Sequence, residues 1–209
     1  MVDQITAWVE SMMSTPLIYP LVGFLVFMDS LIPAFPSETV LNMVGAWSGA
    51  RGIPDVRAIM AIAVTAAIVG DNIAFFLGTK LVGFIERTPK GTKRYDALLW
   101  VRRNMRRGAG AAIIIARFIP SGRWFMTILL GSVRYPWLAF FFFDSIGVLL
   151  WAAQAVFIGY VGGMLFSSNP LIGMLFGLLG AFVIGFGIQW LQNKYTEWSN
   201  IRHGYAETP

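Results

Sequence analysis

Two apolar stretches of this chain carry ionisable side chains on either side of a proline-serine sequence. Asp29 and Glu38 flank the first sequence, and Arg117 and Arg123 flank the second. A charge at the centre of a lipid bilayer costs roughly 2.5–3.5 kcal/mol on insertion scales, so charged groups at that depth are paired or face a cavity. The ionisable residues in apolar surroundings are Asp29, Glu38, Asp71, Arg117, Arg123 and Asp144.

These residue types are suited to holding a phosphate group. A guanidinium group offers a planar fork of N–H donors that matches phosphate oxygens, and it stays charged when buried. Free backbone N–H groups at a helix break add affinity for an anion. Carboxylates placed opposite compete for the arginines, and a desolvated carboxylate can take up a proton. We therefore predict phosphate binding by Arg117, Arg123, Ser37 and Ser121, and proton uptake by Asp29, Glu38 and Asp71.

A simpler interpretation is that the acids and the arginines only neutralise one another, or that some of them lie at the level of the lipid headgroups. For Asp144 this simpler interpretation is favoured, because no motif surrounds it.

Composition indicates an all-α integral membrane protein. Of 209 residues, 56% are hydrophobic and only 13% are charged, against about 25% charged in soluble domains. The mean hydropathy is +0.65. The chain has no cysteine, and its single histidine is His203, so a thiolate or multi-histidine metal site within one chain is excluded. No cofactor is expected.

The distribution of apolar residues predicts about four full membrane spans, since a span needs about 20 apolar residues. Three stretches meet this length clearly and a fourth is short; they are 58–79, 137–166, 171–191 and 17–32. Residues 1–16 predict a short amphipathic helix at the membrane interface. The basic residues of the loop 80–107 predict a cytoplasmic location for this loop, and residues 192–209 are expected to form a cytoplasmic tail.

Two further apolar segments, 31–47 and 109–133, are interrupted near their middle. Pro36 and Pro120 stand at these interruptions, and a proline removes a helix hydrogen bond. Backbone groups freed in lipid must be satisfied by protein or by water in a cavity. We therefore predict two re-entrant helical hairpins; two complete spans with a proline kink are the alternative.

The chain contains an internal repeat of hairpin plus span. After each proline-serine sequence comes a glycine, Gly45 or Gly131, and each following span ends near a glycine, Gly78 or Gly159. With the basic loop inside, the two copies are inverted across the membrane, and both termini lie inside. Inverted repeats with broken helices are typical of transporters.

Several short motifs resemble those of the DedA family, also called the VTT or SNARE-associated domain. The resemblance covers roughly residues 17–165. It rests on Phe35-Pro36-Ser37-Glu38, on Gly70-Asp71, on Ala116-Arg117-Phe118-Ile119-Pro120 with Arg123, and on Trp151 with Gly159-Tyr160. It implies two opposed re-entrant hairpins and the transport or scrambling of lipids. For bacterial members it implies recycling of the polyprenyl (undecaprenyl) phosphate carrier at the plasma membrane, in some cases with proton motive force.

The resemblance also implies roles for individual residues. The acidic pair corresponds to Asp29 and Glu38, and the arginine pair to Arg117 and Arg123. Asp29 departs from the glutamate that is common at its position.

Other functions are weighed against a lipid flippase. A passive phospholipid scramblase needs the same hairpins without energy coupling. A membrane-embedded lipid phosphatase needs a nucleophile or a base, and no histidine lies in the apolar region. An assembly protein would not need polar residues on both hairpins. Arg102, Arg103, Arg106 and Arg107 suit a juxtamembrane helix better than a nucleic-acid site. We expect an anionic phosphate lipid and membrane lipids as partners, no nucleic acid, and no enzymatic activity. The 22 glycines would permit close packing within one chain or between copies in a homo-oligomer.

Overall fold

The structure of the protein, a computed structural model, describes residues 9–80, 109–119, 122–167 and 194. Five α-helices lie within these residues: α1 (Ile18–Leu31), α2 (Ser37–Arg51), α3 (Val56–Lys80), α4 (Gly122–Ser132) and α5 (Trp137–Leu165). Residues 9–14 and 109–116 are also helical, and the described ranges contain no strand. The prediction of an all-α protein is confirmed for this part of the chain.

Two of these helices are long and apolar enough to cross a membrane, namely α3 with 25 residues and α5 with 29. At 1.5 Å per residue they extend about 37 Å and 43 Å, beyond a hydrocarbon core of about 30 Å. They correspond to the predicted spans 58–79 and 137–166. Helix α1 has 14 residues and extends only about 21 Å, so it is too short to cross alone.

The helices are interrupted near both proline-serine sequences. After α1 the backbone becomes extended at Ile32, and α2 begins at Ser37 immediately after Pro36. The second interruption follows residue 116, where a turn occupies residues 117–119 before α4 begins at Gly122. The predicted break residues Pro120 and Ser121 lie outside the described residues. So do the predicted span 171–191, residues 81–107 of the basic loop, and the tail apart from residue 194.

The larger part of the core lies between α1, α2, α3 and α5, where the buried side chains include Val22, Leu41, Trp47 and Val148. The described part of the N-terminal segment packs on the same core through Val9 and Met13. This packing turns two of the predicted interfacial residues toward the protein. The location of the segment at a membrane interface stays a prediction.

Helices from the two copies of the repeat pack on each other. Helix α2 packs mainly on α5, and α4 packs mainly on α3. A side chain at Gly45 or Gly131 would meet the carbonyl oxygen of Val156 or Phe75, respectively. These two carbonyls lie at matching positions, three residues before Gly159 and Gly78.

The reverse contacts match in the same way. A side chain at Gly159 would meet the carbonyl of Asn42, and one at Gly78 would meet the carbonyl of Ile128. Asn42 and Ile128 each stand three residues before the partner glycine of their own helix. The repeat that the sequence shows therefore reappears as two equivalent helix-helix contacts, each dependent on glycine for close approach.

We expect Gly159→Ala to lower the thermal unfolding midpoint of the detergent-purified protein, because its Cβ would overlap the Asn42 carbonyl. Overpacking of this kind costs about 1–3 kcal/mol. Gly147→Ala, in the same helix, is the matched control, since its Cβ would make ordinary contacts at 3.5 Å. An equal shift of the midpoint in both variants would contradict the packing described here.

Candidate functional site: a buried network of arginines and aspartates

Asp71 is the centre of the candidate site. It lies in α3, is completely buried, and faces both arginines. Arg123 Nη1 donates a hydrogen bond of 2.5 Å to Asp71 Oδ1. Arg117 Nη1 lies 2.8 Å from Asp71 Oδ2, but this pair lacks the alignment of a hydrogen bond. One carboxylate therefore joins the two cations that were predicted to bind phosphate.

Each arginine has a second acidic partner. Arg117 Nη1 donates a hydrogen bond of 2.8 Å to Asp144 Oδ1 in α5. Arg123 Nη2 lies 3.2 Å from Asp29 Oδ2 and also donates to the backbone oxygen of Asp29 at 2.8 Å. Three carboxylates thus surround two guanidinium groups.

Burial differs along the network. The side chain of Arg117 is 4% exposed, whereas those of Arg123 and Asp29 are 14% and 19% exposed. Removing one partner from a buried pair leaves an uncompensated charge and costs several kcal/mol, whereas the pair itself adds little net stability. The edge formed by Asp29 and Arg123 is therefore where an added anion can reach a guanidinium at the lowest cost.

Local structure places this edge at the helix break. Arg123 is the second residue of α4, and the neighbouring Trp124 donates its indole N–H to the backbone oxygen of Leu31 at 2.8 Å. That bond fastens the start of α4 to the end of α1. On the other side of Asp29, Gly70 allows α1 and α3 to approach closely, because a side chain there would meet Ser30.

Ser37 is buried and contacts Asp29 at the edge that Asp29 and Arg123 form. It is the first residue of α2, and its hydroxyl donates a hydrogen bond of 2.7 Å to Asp29 Oδ2. The Asp29 carboxylate therefore accepts from a serine hydroxyl and from a guanidinium, each carried by a residue at the start of a helix. These are the donors that a phosphate group requires.

The remaining predicted site residues are placed differently. Glu38 is exposed, and within the described residues it forms no ion pair with an arginine. Ser121 lies outside the described residues. No group of three or more histidine, cysteine or acidic side chains in the described ranges is arranged to hold a metal ion.

The site contains two residues to which the sequence analysis gave no functional role. Asp144 is 2% exposed and pairs with Arg117, as expected from mutual neutralisation. The guanidinium of Arg117 also lies 5.5 Å from the ring centroid of Trp151, within the range of a cation–π contact. The spacing of Asp144 and Trp151, two helical turns, places both on one face of α5, and that spacing is the signal that links them.

The sequence of this chain is similar to a known domain and to several known membrane proteins. The VTT domain matches residues 35–161, a range that includes most of the network. An uncharacterized membrane protein of Mycobacterium tuberculosis (strain ATCC 25618 / H37Rv) is 28% identical over 174 residues, which cover 78% of this chain and 71% of the relative. Protein DedA of Escherichia coli (strain K12) is 24% identical over 151 residues, 70% of this chain and 69% of the relative.

A third relative has a different kind of name. The alkaline phosphatase-like protein of Lactococcus lactis subsp. cremoris (strain MG1363) is 26% identical over 180 residues, 78% of this chain and 82% of that protein. No solved structure matches the chain. Because the VTT domain covers more than half of the sequence, and because relatives are membrane proteins of bacteria, the protein is a membrane protein that belongs to the DedA (VTT domain) family.

Proposed function

We propose that this protein moves a lipid with a phosphate headgroup, such as polyprenyl phosphate, between the leaflets of the bacterial plasma membrane. The observation that supports this function is the position of the Asp29 carboxylate between Ser37 and Arg123, at the less buried edge of the ionic network. The carboxylate occupies donors that suit a phosphate. A lipid phosphate exchanges with it, and the return of Asp29 to Arg123 releases the lipid.

We propose that Asp29, and not Asp71, takes part in the exchange. Its hydrogen bond to Arg123 measures 3.2 Å, against 2.5 Å for the bond from Arg123 to Asp71. Asp71 is completely buried and stays in place as the counterion of both arginines. The phosphate then meets Arg123 and the Ser37 hydroxyl, while the lipid tail stays in the membrane beside the helix break.

Lipid exchange is tested by Asp29→Asn, which removes the competing anion and keeps the side-chain shape. The variant should bind a labelled polyprenyl phosphate about tenfold more tightly, a change of about 1.4 kcal/mol, and should release it more slowly in reconstituted vesicles. Asp55→Asn is the control, since Asp55 is an exposed acid away from the network. Unchanged or weaker binding in Asp29→Asn would overturn the proposed exchange.

Two re-entrant hairpins in an inverted repeat are the proposed framework for this movement. The two equivalent helix-helix contacts support it, because each joins the second arm of one hairpin to the span of the other copy. The bond from Arg123 to Asp29 also supports it, because it joins the two breaks. We further propose that both termini lie in the cytoplasm.

The proposed topology predicts the sidedness of engineered cysteines, which the cysteine-free chain reports without background. Arg51→Cys and Ser168→Cys should react only with an impermeant maleimide added outside the cell, and Thr92→Cys only after the inner face is opened. Reaction of the Arg51→Cys protein from the cytoplasmic side would exclude the inverted arrangement.

The same vesicle assay distinguishes the proposed function from two alternative functions. If movement of the lipid is independent of an imposed proton gradient and of the acids Asp29 and Glu38, the protein is a passive scramblase. The name of the Lactococcus relative raises hydrolysis of a phosphate ester as the other alternative. Recovery of the labelled lipid with its phosphate intact supports movement, and release of inorganic phosphate supports hydrolysis.

A further inference from the structure

The five helices divide into two units by their packing. Helices α1 and α4 pack mainly on α3, whereas α2 packs mainly on α5. The two groups meet where α3 packs on α5 and share the main core. The helical segment 109–116 approaches α5 twice, where side chains at Gly110 and Gly147 would meet Phe143 and Ile114. We call α1, α3 and α4 the first unit, and α2, α5 and residues 109–119 the second unit.

The ionic network follows this division. In the first unit, Arg123 pairs with Asp29 and with Asp71. In the second unit, Arg117 pairs with Asp144. Of the four ion pairs that the described residues form in the network, only that between Arg117 and Asp71 crosses from one unit to the other.

The contacts of Arg117 with its two acidic partners differ in geometry. Its Nη1 donates a hydrogen bond to Asp144 within the second unit, and its guanidinium lies near the ring of Trp151 in the same unit. The contact with Asp71 is close but lacks hydrogen-bond alignment. If the units separate, Arg117 therefore loses its partner across the boundary and keeps both partners in its own unit.

We propose that the ion pair between Arg117 and Asp71, here called the tie, opens when the two units separate. Asp144 and Trp151 are positioning residues that keep the charge of Arg117 compensated when the tie opens. Without them, separation would leave a buried guanidinium without an acid, which is strongly unfavourable. This assignment rests on the proposed lipid movement, because passage of a headgroup between the units requires them to part. It gives Arg117 a task different from that of Arg123.

This assignment predicts that two variants change the population of the separated state in opposite directions. Arg117→Gln removes the tie, so the separated state gains population. Asp144→Asn removes the acid that compensates Arg117 after separation and leaves Asp71 as its acidic partner, so the separated state loses population. A residue that only stabilises the fold would loosen the protein in both variants.

Spin labels on the cysteine-free protein measure this separation. Labels at the exposed positions of Val69 in α3 and Phe157 in α5 span the two units, and labels at Val69 and Phe125 in α4 lie within the first unit. Distances are recorded by pulsed electron resonance in vesicles, with and without polyprenyl phosphate. The second pair is the control for general loosening.

In wild type we expect the lipid to add a longer-distance population to the pair across the units. Arg117→Gln should raise that population about threefold or more, and Asp144→Asn should lower it by a similar factor. Trp151→Leu, which leaves all charges in place, should act in the same direction as Asp144→Asn. The pair within the first unit should not change.

Three outcomes would overturn the tie: shifts of the same sign in Arg117→Gln and Asp144→Asn, no lipid-dependent shift in any of the proteins, or equal changes in both label pairs. Failure of the proposed function is recognised separately, because wild-type protein would then move no labelled lipid between leaflets whatever the label distances show.

Discussion

Replacement of Asp71 by asparagine should lower the free energy of unfolding by about 3–5 kcal/mol, the cost of breaking a buried ion pair from one side. Asp71 is completely buried and faces both guanidinium groups. The amide keeps the size of the side chain but carries no charge. Arg117 then depends on Asp144 alone, and Arg123 on Asp29 alone.

Unfolding of the purified protein by a denaturing detergent in mixed micelles measures this loss. Asp55→Asn is the matched control. The exposed Asp55 accepts a hydrogen bond from the Arg57 N–H at the start of α3, and asparagine caps a helix as well as aspartate does. Its stability should therefore change by less than about 0.5 kcal/mol. Asp71→Asn combined with Arg117→Gln should be less destabilised than the sum of the two single variants, since acid and base are removed together. A shift for Asp71→Asn no larger than that of the control would show that the network contributes nothing to the fold.

Arg123→Lys should weaken the binding of polyprenyl phosphate about 30- to 100-fold, corresponding to about 2–3 kcal/mol. Arg123 donates from two nitrogens, to Asp71 Oδ1 and to both the backbone and the carboxylate of Asp29. Lysine carries the same charge but presents it at one point, so it cannot keep Asp71 and hold a phosphate with the same geometry. Movement of the lipid in vesicles should fall with the affinity.

The same substitution at two other arginines tests whether the effect is specific to Arg123. Arg117→Lys should also slow lipid movement, but with a smaller change in lipid affinity, because Arg117 is 4% exposed and enclosed by Asp71 and Asp144. Arg57→Lys, at an exposed position outside the network, should change neither quantity. Lipid affinity in Arg123→Lys equal to that of wild type would exclude Arg123 as the headgroup ligand.

The sequence by itself predicted the helical membrane class, because membrane spans depend on length and hydrophobicity, which composition records directly. It predicted the spans that the structure describes as α3 and α5 to within two residues at each end. It also singled out Arg117, Arg123, Asp29 and Asp71, because charges in apolar surroundings are costly enough to be rare. Short motifs that contain several of these residues indicated the DedA family.

The partner of each charge was decided by the tertiary structure. The sequence led us to expect carboxylates opposite the arginines but assigned no pairs. In the structure, Arg117 pairs with Asp71 and Asp144, which come from the two long helices. Glu38 is exposed outside these pairs. Ion pairing depends on which helix faces approach within about 4 Å, and a repeat in the sequence does not state which copy packs on which.

The same limit applies to the glycines. Their spacing revealed the repeat, but only the packing shows that Gly45 and Gly131 each contact the span of the other copy. That exchange of helices places Asp71 and Arg123 in one unit and Arg117 and Asp144 in the other. The sequence determined which residues could carry charge into the membrane, whereas the helix packing alone decided which charges meet, because contacts between distant residues depend on how close two backbones can come.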